Sequence, residues 1–256
     1  MLQSLQLPPR WMHQHLDETD STMSRIMQMP SDMIPADGAL LLTADHQTAG
    51  HGQRGTSWES APGANLLFSF AICPQSVKAS EQFFLSEALA LAVAEALAPC
   101  TGECEVKWPN DVYHEDRKIC GMLLQHTLSG DSIARTNVGV GVNVNQREFR
   151  SDAPNPVSVW QIRHEDTSWE RLLESIINHF ASHYADICQH HSELVHKAYL
   201  QRLYRREGFH RYRDAEGREF EARISGISPL GVLSLTDQEG RERPFAFKEV
   251  SFVIEE

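Results

Sequence analysis

Four short segments hold residue types that can act on a ligand. The first, "AGHGQRGTSWES" (49–60), spaces Gly50, Gly52 and Gly55 as G-x-G-x-x-G after the apolar run "GALLLTA". A dinucleotide loop with that spacing must open directly into a helix, whose N–H groups hold the pyrophosphate, and it needs an acidic residue about 20 positions on. Here Pro62 and Gly63 interrupt the chain, and "ANLLFSFAI" has the make-up of a buried strand. The spacing therefore marks a loop between two strands, although glycines there can still bring backbone N–H groups close to a phosphate.

The second segment, "DSTMSRIM", places Asp20, Ser21 and Thr22 before a short helix, where they serve as an N-cap or hold the polar end of a ligand. In the third, "VKWPNDVYHEDRKICGMLL", Trp108, Pro109, Asn110 and Asp111 form a rigid turn after a strand, and Lys118 stands opposite them at the start of the next. The fourth, "GVGVNVN", ends an apolar, Gly-rich strand with Asn143 and Asn145. A buried Asn needs a partner, so ligand contact and turn formation compete as its explanation.

These segments need elements to position them. "SEQFFLSEALALAVAEALAP" (80–99) is expected to be a buried helix, capped by Ser80 and stopped by Pro99. "TSWERLLESIINHFASHYADI" (167–187) reads as a second helix with a Thr167–Glu170 capping box and a buried stripe of Leu172, Leu173, Ile176, Ile177, Phe180 and Tyr184. Between them "GECEVKWPND", "KICGMLLQHTL" and "IARTNVGVGVNVN" are strand-like, with turn chemistry at Ser129, Gly130 and Asp131. The expected fold is α+β, a mixed sheet flanked by helices. From Arg218 onward, short strands with turns at Ser228–Gly231 and Asp237–Gly240 suggest a small β-barrel. The expected division is 1–206 and 207–256, with no internal repeat.

The 256 residues, 41% of them hydrophobic, suffice for one large and one small domain. A net charge of −12 argues against a phosphate-tracking nucleic-acid binder. The arginine-rich stretch "QRLYRREGFHRYR" (201–213) resists that average, and its expected place is a solvated helix end with arginine stems on a neighbouring domain. Purely apolar stretches fall short of a bilayer span, and "MLQSLQLPPRWMHQHLDETD" lacks the pattern of an export signal. Five scattered cysteines, Cys73, Cys100, Cys104, Cys120 and Cys188, fit a reducing compartment, so a cytoplasmic location with neither membrane nor nucleic-acid partner is expected. His179 and His183 stand one helical turn apart, followed by His190, His191 and His196, and a solvated helix face rather than a metal site is the expectation. Cys100 and Cys104 are expected to be small buried residues.

Taken in order, the segments resemble the biotin protein ligase family. "DSTMS" matches the family's DSTN-like stretch, "ADHQTAGHGQRGTSWESAPGANLLFS" its GRGRRG-type loop, "KWPNDVYHEDRKICGMLL" its KWPND…K…G segment and "GVGVNVN" its GIGIN-like strand, before a small C-terminal barrel. The motifs begin by residue 20, so the resemblance is to the short class without a DNA-binding N-terminal domain. It implies a class II synthetase-like catalytic domain with an SH3-like barrel. It also implies a two-step reaction of biotin with MgATP, through biotinyl-5′-AMP, to a lysine of a biotin carboxyl carrier domain of the acetyl-CoA carboxylase type. The cofactors and substrates implied are ATP, Mg²⁺ and biotin, with no metal ligand assigned among the side chains and a homodimer left open.

Site residues follow from the same resemblance. Ser21, Thr22, Met23 and Gln47 would border biotin's ureido ring. His51, Gly52, Gln53, Lys118 and Gly121 would border its carboxylate end. Gly50, Arg54, Trp58, Asn110 and Asn143 would take ATP, with Trp58 stacking on adenine. Lys118, Asp111 and Arg54 would be catalytic, Lys118 as a point charge on the carboxylate and adenylate and Asp111 orienting or deprotonating the incoming lysine. Three positions depart from the family: Met23 replaces its usual Asn, His51 its usual Arg, and Gln53 a second Arg found in many members. A His is mostly neutral at neutral pH where Arg is charged, so weaker or pH-sensitive retention of the adenylate is expected. The readings that compete are a lipoate or octanoate ligase or transferase of the same fold, a biotin-binding module with weak catalysis, and an RNA binder built on the arginine-rich stretch.

Overall fold

Apolar β-branched and aromatic runs alternate here with helical ones, and the chain folds accordingly. The computed structural model describes residues 5–52, 56–151 and 153–254. The chain runs through β1 (Trp11–Thr19), α1 (Thr22–Gln28), β2 (Ala39–Gln47), β3 (Leu66–Ile72) and α2 (Phe83–Thr101). Four strands follow, β4 (Glu105–Lys107), β5 (Asp111–His114), β6 (Arg117–Ser129) and β7 (Ser132–Val142). After α3 (Val159–Arg163), α4 (Trp169–Cys188) and α5 (Ser192–Gln201) come β8 (His210–Asp214), β9 (Glu219–Ile227), β10 (Leu233–Asp237), β11 (Glu242–Phe245) and β12 (Val250–Phe252).

The first seven strands form one sheet in the order β1-β2-β3-β7-β6-β5-β4. Only β1 and β2 pair in parallel, so the sheet is mixed. β3 is buried at every residue because both of its faces are covered. Ala39, Leu41, Phe68 and Phe70 join the core with α2 and α4, while Leu40, Leu42 and Ala71 pack under Met23 and Ile26 of α1. The remaining five strands form an antiparallel sheet in the order β11-β10-β9-β8-β12, the small C-terminal unit expected of an SH3-like barrel. It touches the β4–β5 turn and the start of α2 directly: Trp108 Nε1 donates to Gly231 O at 3.0 Å and Phe83 N to Pro229 O at 3.2 Å.

The helices shift from their expected bounds for physical reasons. Ser80 lies in a 3₁₀ turn, Ala79–Glu81, and α2 starts only at Phe83 without a side-chain cap. Pro99 sits inside the last turn, where the N–H it lacks is one helical bond near the end, and Gly102 at φ 79° ends the helix. Ala79–Thr101 is long and apolar enough to cross a bilayer, yet most of it is buried in this core. In α4 the cap is Ser168, whose Oγ accepts from Arg171 N, because Thr167 N instead donates to Asn145 Oδ1 at 2.8 Å. A reciprocal capping box does occur, but at Ser158 and Gln161 of α3.

One five-residue turn motif occurs twice in the C-terminal sheet. "DAEGR" (214–218) and "DQEGR" (237–241) close hairpins β8–β9 and β10–β11 with one shared geometry. In each, Asp N donates to Arg O at 3.1 Å, Gly N donates to Asp O at 3.0 Å, and Asp Oδ1 accepts the Arg N–H at 2.9 Å. The arginine-rich stretch (201–213) is not the helix end expected: α5 stops at Gln201 and the stretch crosses a turn into β8, with Arg206 paired to Glu207, Arg213 to Glu219, and Arg205 Nη1 donating to Val253 O at 2.9 Å.

Candidate active site

One row of residues crosses the large sheet from its edge. Pairing places Lys107 opposite Asp111, Asp111 opposite Gly121, Gly121 opposite Gly141 and Gly141 opposite Leu67. Two glycines in mid-sheet leave a floor without side chains, and a cavity of about 970 Å³ opens above it. The indole of Trp58 lies over that floor. A Cβ at Gly141 would stand 2.4 Å from Trp58 Cε2, and one at Gly121 2.9 Å from Trp58 Cζ3 and 3.2 Å from Lys118 Nζ. Gly121, expected at biotin, thus also has a reason internal to the fold: it makes room for Trp58 and Lys118.

At the α1 end, a buried polar group stands among apolar strands. Thr22 donates to Gln47 Oε1 twice, from N at 2.7 Å and from Oγ1 at 3.0 Å, and Ser69 Oγ lies 2.8 Å from Thr22 Oγ1. Ser21 caps α1 by accepting Ser24 N, and Asp20 Oδ1 accepts Ser21 N at 2.7 Å. Ser21, Thr22, Met23 and Gln47 line the cavity, so two hydroxyls and the Gln47 amide border it, with Met23 beside them packed against Gly139.

At the opposite end lie the cations. Lys118 Nζ is 2.7 Å from Asp111 Oδ1, with both side chains partly exposed to the cavity. Lys107 Nζ donates to Tyr113 Oη at 2.9 Å and lies 4.6 Å from that ring's centroid. Burial lowers the Lys107 ammonium to about 8, with Lys118 and Arg205 adding to the shift and Asp111 opposing it. Burial, then the Asp111 charge, drives the Tyr113 phenol upward. Asn110 and Asn143 line the same cavity, but their amide nitrogens are committed: Asn110 Nδ2 donates to Met122 O, and Asn143 Nδ2 to Val157 O at 3.1 Å. Bonds to distant backbone carbonyls, rather than turn formation, therefore hold both side chains, leaving their carbonyl oxygens for a ligand. Asn145 binds Thr167 through both ends of its amide and does not face the cavity.

On either side of residues 53–55, the described part of the Gly-rich stretch pairs antiparallel between β2 and β3 and does not open into a helix. Trp58 N donates to Gly50 O at 2.9 Å, Gly52 N to Thr56 O at 2.7 Å, and His51 bridges Ser57. His51 and Gly52 line the cavity, and Gly50 packs on Gln47. Gln53 and Arg54, expected at biotin and ATP, lie outside the described residues. Glu59 fastens this hairpin to the loop after β7, accepting Ser151 N at 2.8 Å, Arg150 N at 2.9 Å and Gln146 Nε2 at 3.1 Å. Burial alone would raise its carboxyl, but these donors outweigh burial and hold it below the usual range.

Four site residues were not singled out from the sequence. Ser69 hides in an apolar strand, and Glu59 reads as an ordinary loop acid. Lys107 looks like one alternating position of a short strand, although its place in "KWPND" was a usable signal. Phe247, from the C-terminal sheet, meets Trp108 with ring centroids 6.2 Å apart and lines the cavity. Of the histidines expected on a solvated face, His179, His190 and His191 are exposed, but His183 and His196 are partly buried: His179 Nδ1 and His183 Nε2 converge on Glu95 Oε2 at 3.2 and 2.9 Å, and His196 Nδ1 meets the buried Glu87 at 2.9 Å. Cys104 is buried against Thr101, and Cys100 is half-buried.

Comparison with known proteins gives consistent results. The family model described as "Biotin/lipoate A/B protein ligase family" matches residues 18–145. The bifunctional ligase/repressor BirA of Bacillus subtilis (strain 168) is 27% identical over 247 residues, covering 92% of this chain and 73% of its own length. The biotin–[acetyl-CoA-carboxylase] ligase of Paracoccus denitrificans is 29% identical over 236 residues, covering 89% and 95%. Among solved structures, a biotin protein ligase from Aquifex aeolicus in complex with biotin and ATP aligns with a TM-score of 0.76 at 26% identity, over 93% of this chain and 97% of that one.

Proposed function

This chain belongs to the biotin/lipoate A/B protein ligase family, and from that premise we infer that it is a biotin–protein ligase with ATP and biotin as substrates. The observation that carries the reading is the Lys118–Asp111 pair, 2.7 Å apart beside a side-chain-free glycine floor. A cavity with neutral hydrogen-bonding groups at one end and ammonium groups at the other suits a ligand with a ureido ring, an apolar chain and a terminal carboxylate.

In the first step an oxygen of the biotin carboxylate bonds to the α-phosphorus of ATP, and the bond to pyrophosphate breaks. In the second the neutral amine of an acceptor lysine bonds to the acyl carbon, AMP leaves, and the amine gives up a proton. Both steps rest on alignment and charge stabilisation. Ser21, Thr22 and Gln47 hold the ureido end, beside Met23. Lys118 draws the carboxylate and the adenylate phosphate together, and Asp111, released as Lys118 turns to the phosphate, accepts the proton. Gly50, His51, Gly52, Gln53 and Arg54 belong to the stretch that borders the phosphates, and Trp58, Asn110 and Asn143 to the nucleotide side. Magnesium would supply charge neutralisation on the phosphates. Among the described residues, Asp111 is the cavity carboxylate that would be free once Lys118 turns to the phosphate, whereas three N–H donors hold Glu59; no step is routed through the ion. Residues 1–206 act as the catalytic domain and 207–256 as a small β-barrel that contributes Phe247 to the rim. The acceptor is a biotin carboxyl carrier domain in the cytoplasm.

The test is incubation with ATP, Mg²⁺, biotin, an equal amount of lipoate and a carrier domain, read by mass spectrometry. A biotinyl adduct on one carrier lysine is expected. A lipoyl adduct, or biotin bound without any adduct, overturns the reading.

A further inference from the structure

The sheet face away from the cavity carries a second cluster of ligand-type side chains. β1 and β2 run parallel with His15 opposite Thr43, Leu16 opposite Ala44 and Glu18 opposite His46, which makes Asp17 and Asp45 cross-strand neighbours on the face that His15 shares. This is the face on which Leu41 meets the helices, opposite the one on which Leu40 and Leu42 pack under α1.

The His15 ring is fixed on two sides. Its Nδ1 lies 2.9 Å from Thr43 Oγ1, and it stacks on Trp169 with centroids 5.9 Å apart and planes at 12°. Its Nε2 lies 3.5 Å from Asp45 Oδ2, and one ligand atom each from His15, Asp17 and Asp45 all fall within 4.8 Å of one another. Thr43 has one hydroxyl hydrogen and two imidazole neighbours, since His13 Nε2 is also 2.8 Å away. When that hydrogen goes to His13, Thr43 accepts from His15 Nδ1–H, and the lone pair of His15 Nε2 is aimed at the two carboxylates. This is how an outer-shell partner fixes a metal-binding tautomer. Among the described residues no Lys or Arg pairs with Asp17 or Asp45, so the charge of two adjacent carboxylates is left uncompensated.

We propose that His15, Asp17 and Asp45 form a divalent-metal site, separate from the ligase cavity, that takes zinc-like borderline cations in preference to calcium. One imidazole nitrogen and two carboxylates within reach of a single centre suit zinc or manganese, with the exposed Asp17 side left for water, whereas calcium calls for six or more oxygens. The bound ion fastens the edge strand β1 to β2.

The test titrates the metal-stripped full chain with ZnCl₂ and, separately, CaCl₂, following heat of binding and thermal melting. It does not depend on the ligase reading, since neither readout involves biotin. One zinc per chain and a raised melting temperature are expected, with His15→Ala and Asp17→Asn each weakening zinc at least about tenfold. Asp17 is exposed, so its variant keeps the fold, and His183→Gln, which breaks a histidine–carboxylate contact elsewhere in the fold, leaves zinc binding unchanged. The proposal is overturned by no zinc binding tighter than about 1 mM, by equal binding of calcium, by zinc binding unchanged in both site variants, or by zinc binding lost in His183→Gln.

Discussion

Lys118 reaches Asp111 because the β5–β6 ladder skips a residue. Asp111 pairs with Gly121 and Val112 with Cys120, but Tyr113 pairs with Lys118, leaving Ile119 as the extra residue of a bulge. In an unbroken strand Lys118 and Gly121, three positions apart, would face opposite sides. The bulge turns both toward the cavity, a common use of this irregularity beside functional sites. Lys118→Met is expected to slow pyrophosphate release roughly 100-fold, on the scale of one lost charge-stabilising donor. Asp111→Asn keeps the shape and should slow transfer to the carrier more than adenylate formation. Rapid-quench assays of the two half-reactions check this, and equal losses in both would mean that Asp111 acts only by holding Lys118.

Lys107 makes a pH prediction with a definite sign. Its ammonium, lowered mainly by burial, is charged below about pH 8 and neutral above it. If that charge attracts the phosphates, kcat/KM for ATP falls as pH rises through about 8, because this ratio reports groups of the free enzyme. Lys107→Arg, charged throughout, should flatten the profile between about pH 7 and 9. The pH dependence of kcat/KM in the two proteins is the measurement.

How much of this was legible follows from the same residues. The helix–strand alternation and the position of the Gly-rich hairpin could be read because each is a local pattern: apolar runs, Pro62 and Gly63, and the spacing of Leu172 to Phe180. Ser21, Thr22, Gln47 and Lys118 stand in motifs, and the fold brings them to one cavity. Ser69 and the Ile119 bulge were not legible, and Lys107 only through its place in "KWPND", since strand register is set by cross-strand packing rather than by neighbours in sequence. The Glu95 contacts of His179 and His183 depend on how α2 crosses α4, and the Asp45 contact of His15 depends on a parallel register.

The repeated hairpin turns test stability. Burial would raise the Asp237 carboxyl, but the Arg241 N–H, the Arg241 guanidinium and the Glu239 N–H outweigh it and hold it below the usual range. A carboxylate lowered on folding contributes stability that is present above its unfolded pKa and fades as pH falls through the folded value. Asp237→Ala should therefore lower the melting temperature near neutral pH, and the gap from the wild type should shrink toward about pH 3. Asp237→Asn keeps an acceptor for the two backbone N–H groups and should lose less. Thermal melts of both variants across pH give the comparison, and the same ranking is expected at Asp214, whose turn has the same hydrogen bonds.

His51 stands where relatives of this family usually carry Arg, and its geometry says what that change does. His51 Nδ1 lies 3.3 Å from Ala49 O, so a neutral ring that donates there presents only a lone pair at Nε2 to a phosphate. A guanidinium is a charged donor, so His51→Arg should slow adenylate release about three- to tenfold. Release is measured by chasing preformed labelled adenylate with excess biotin and ATP. An unchanged release rate in His51→Arg would show that the side chain at this position does not contact the phosphate.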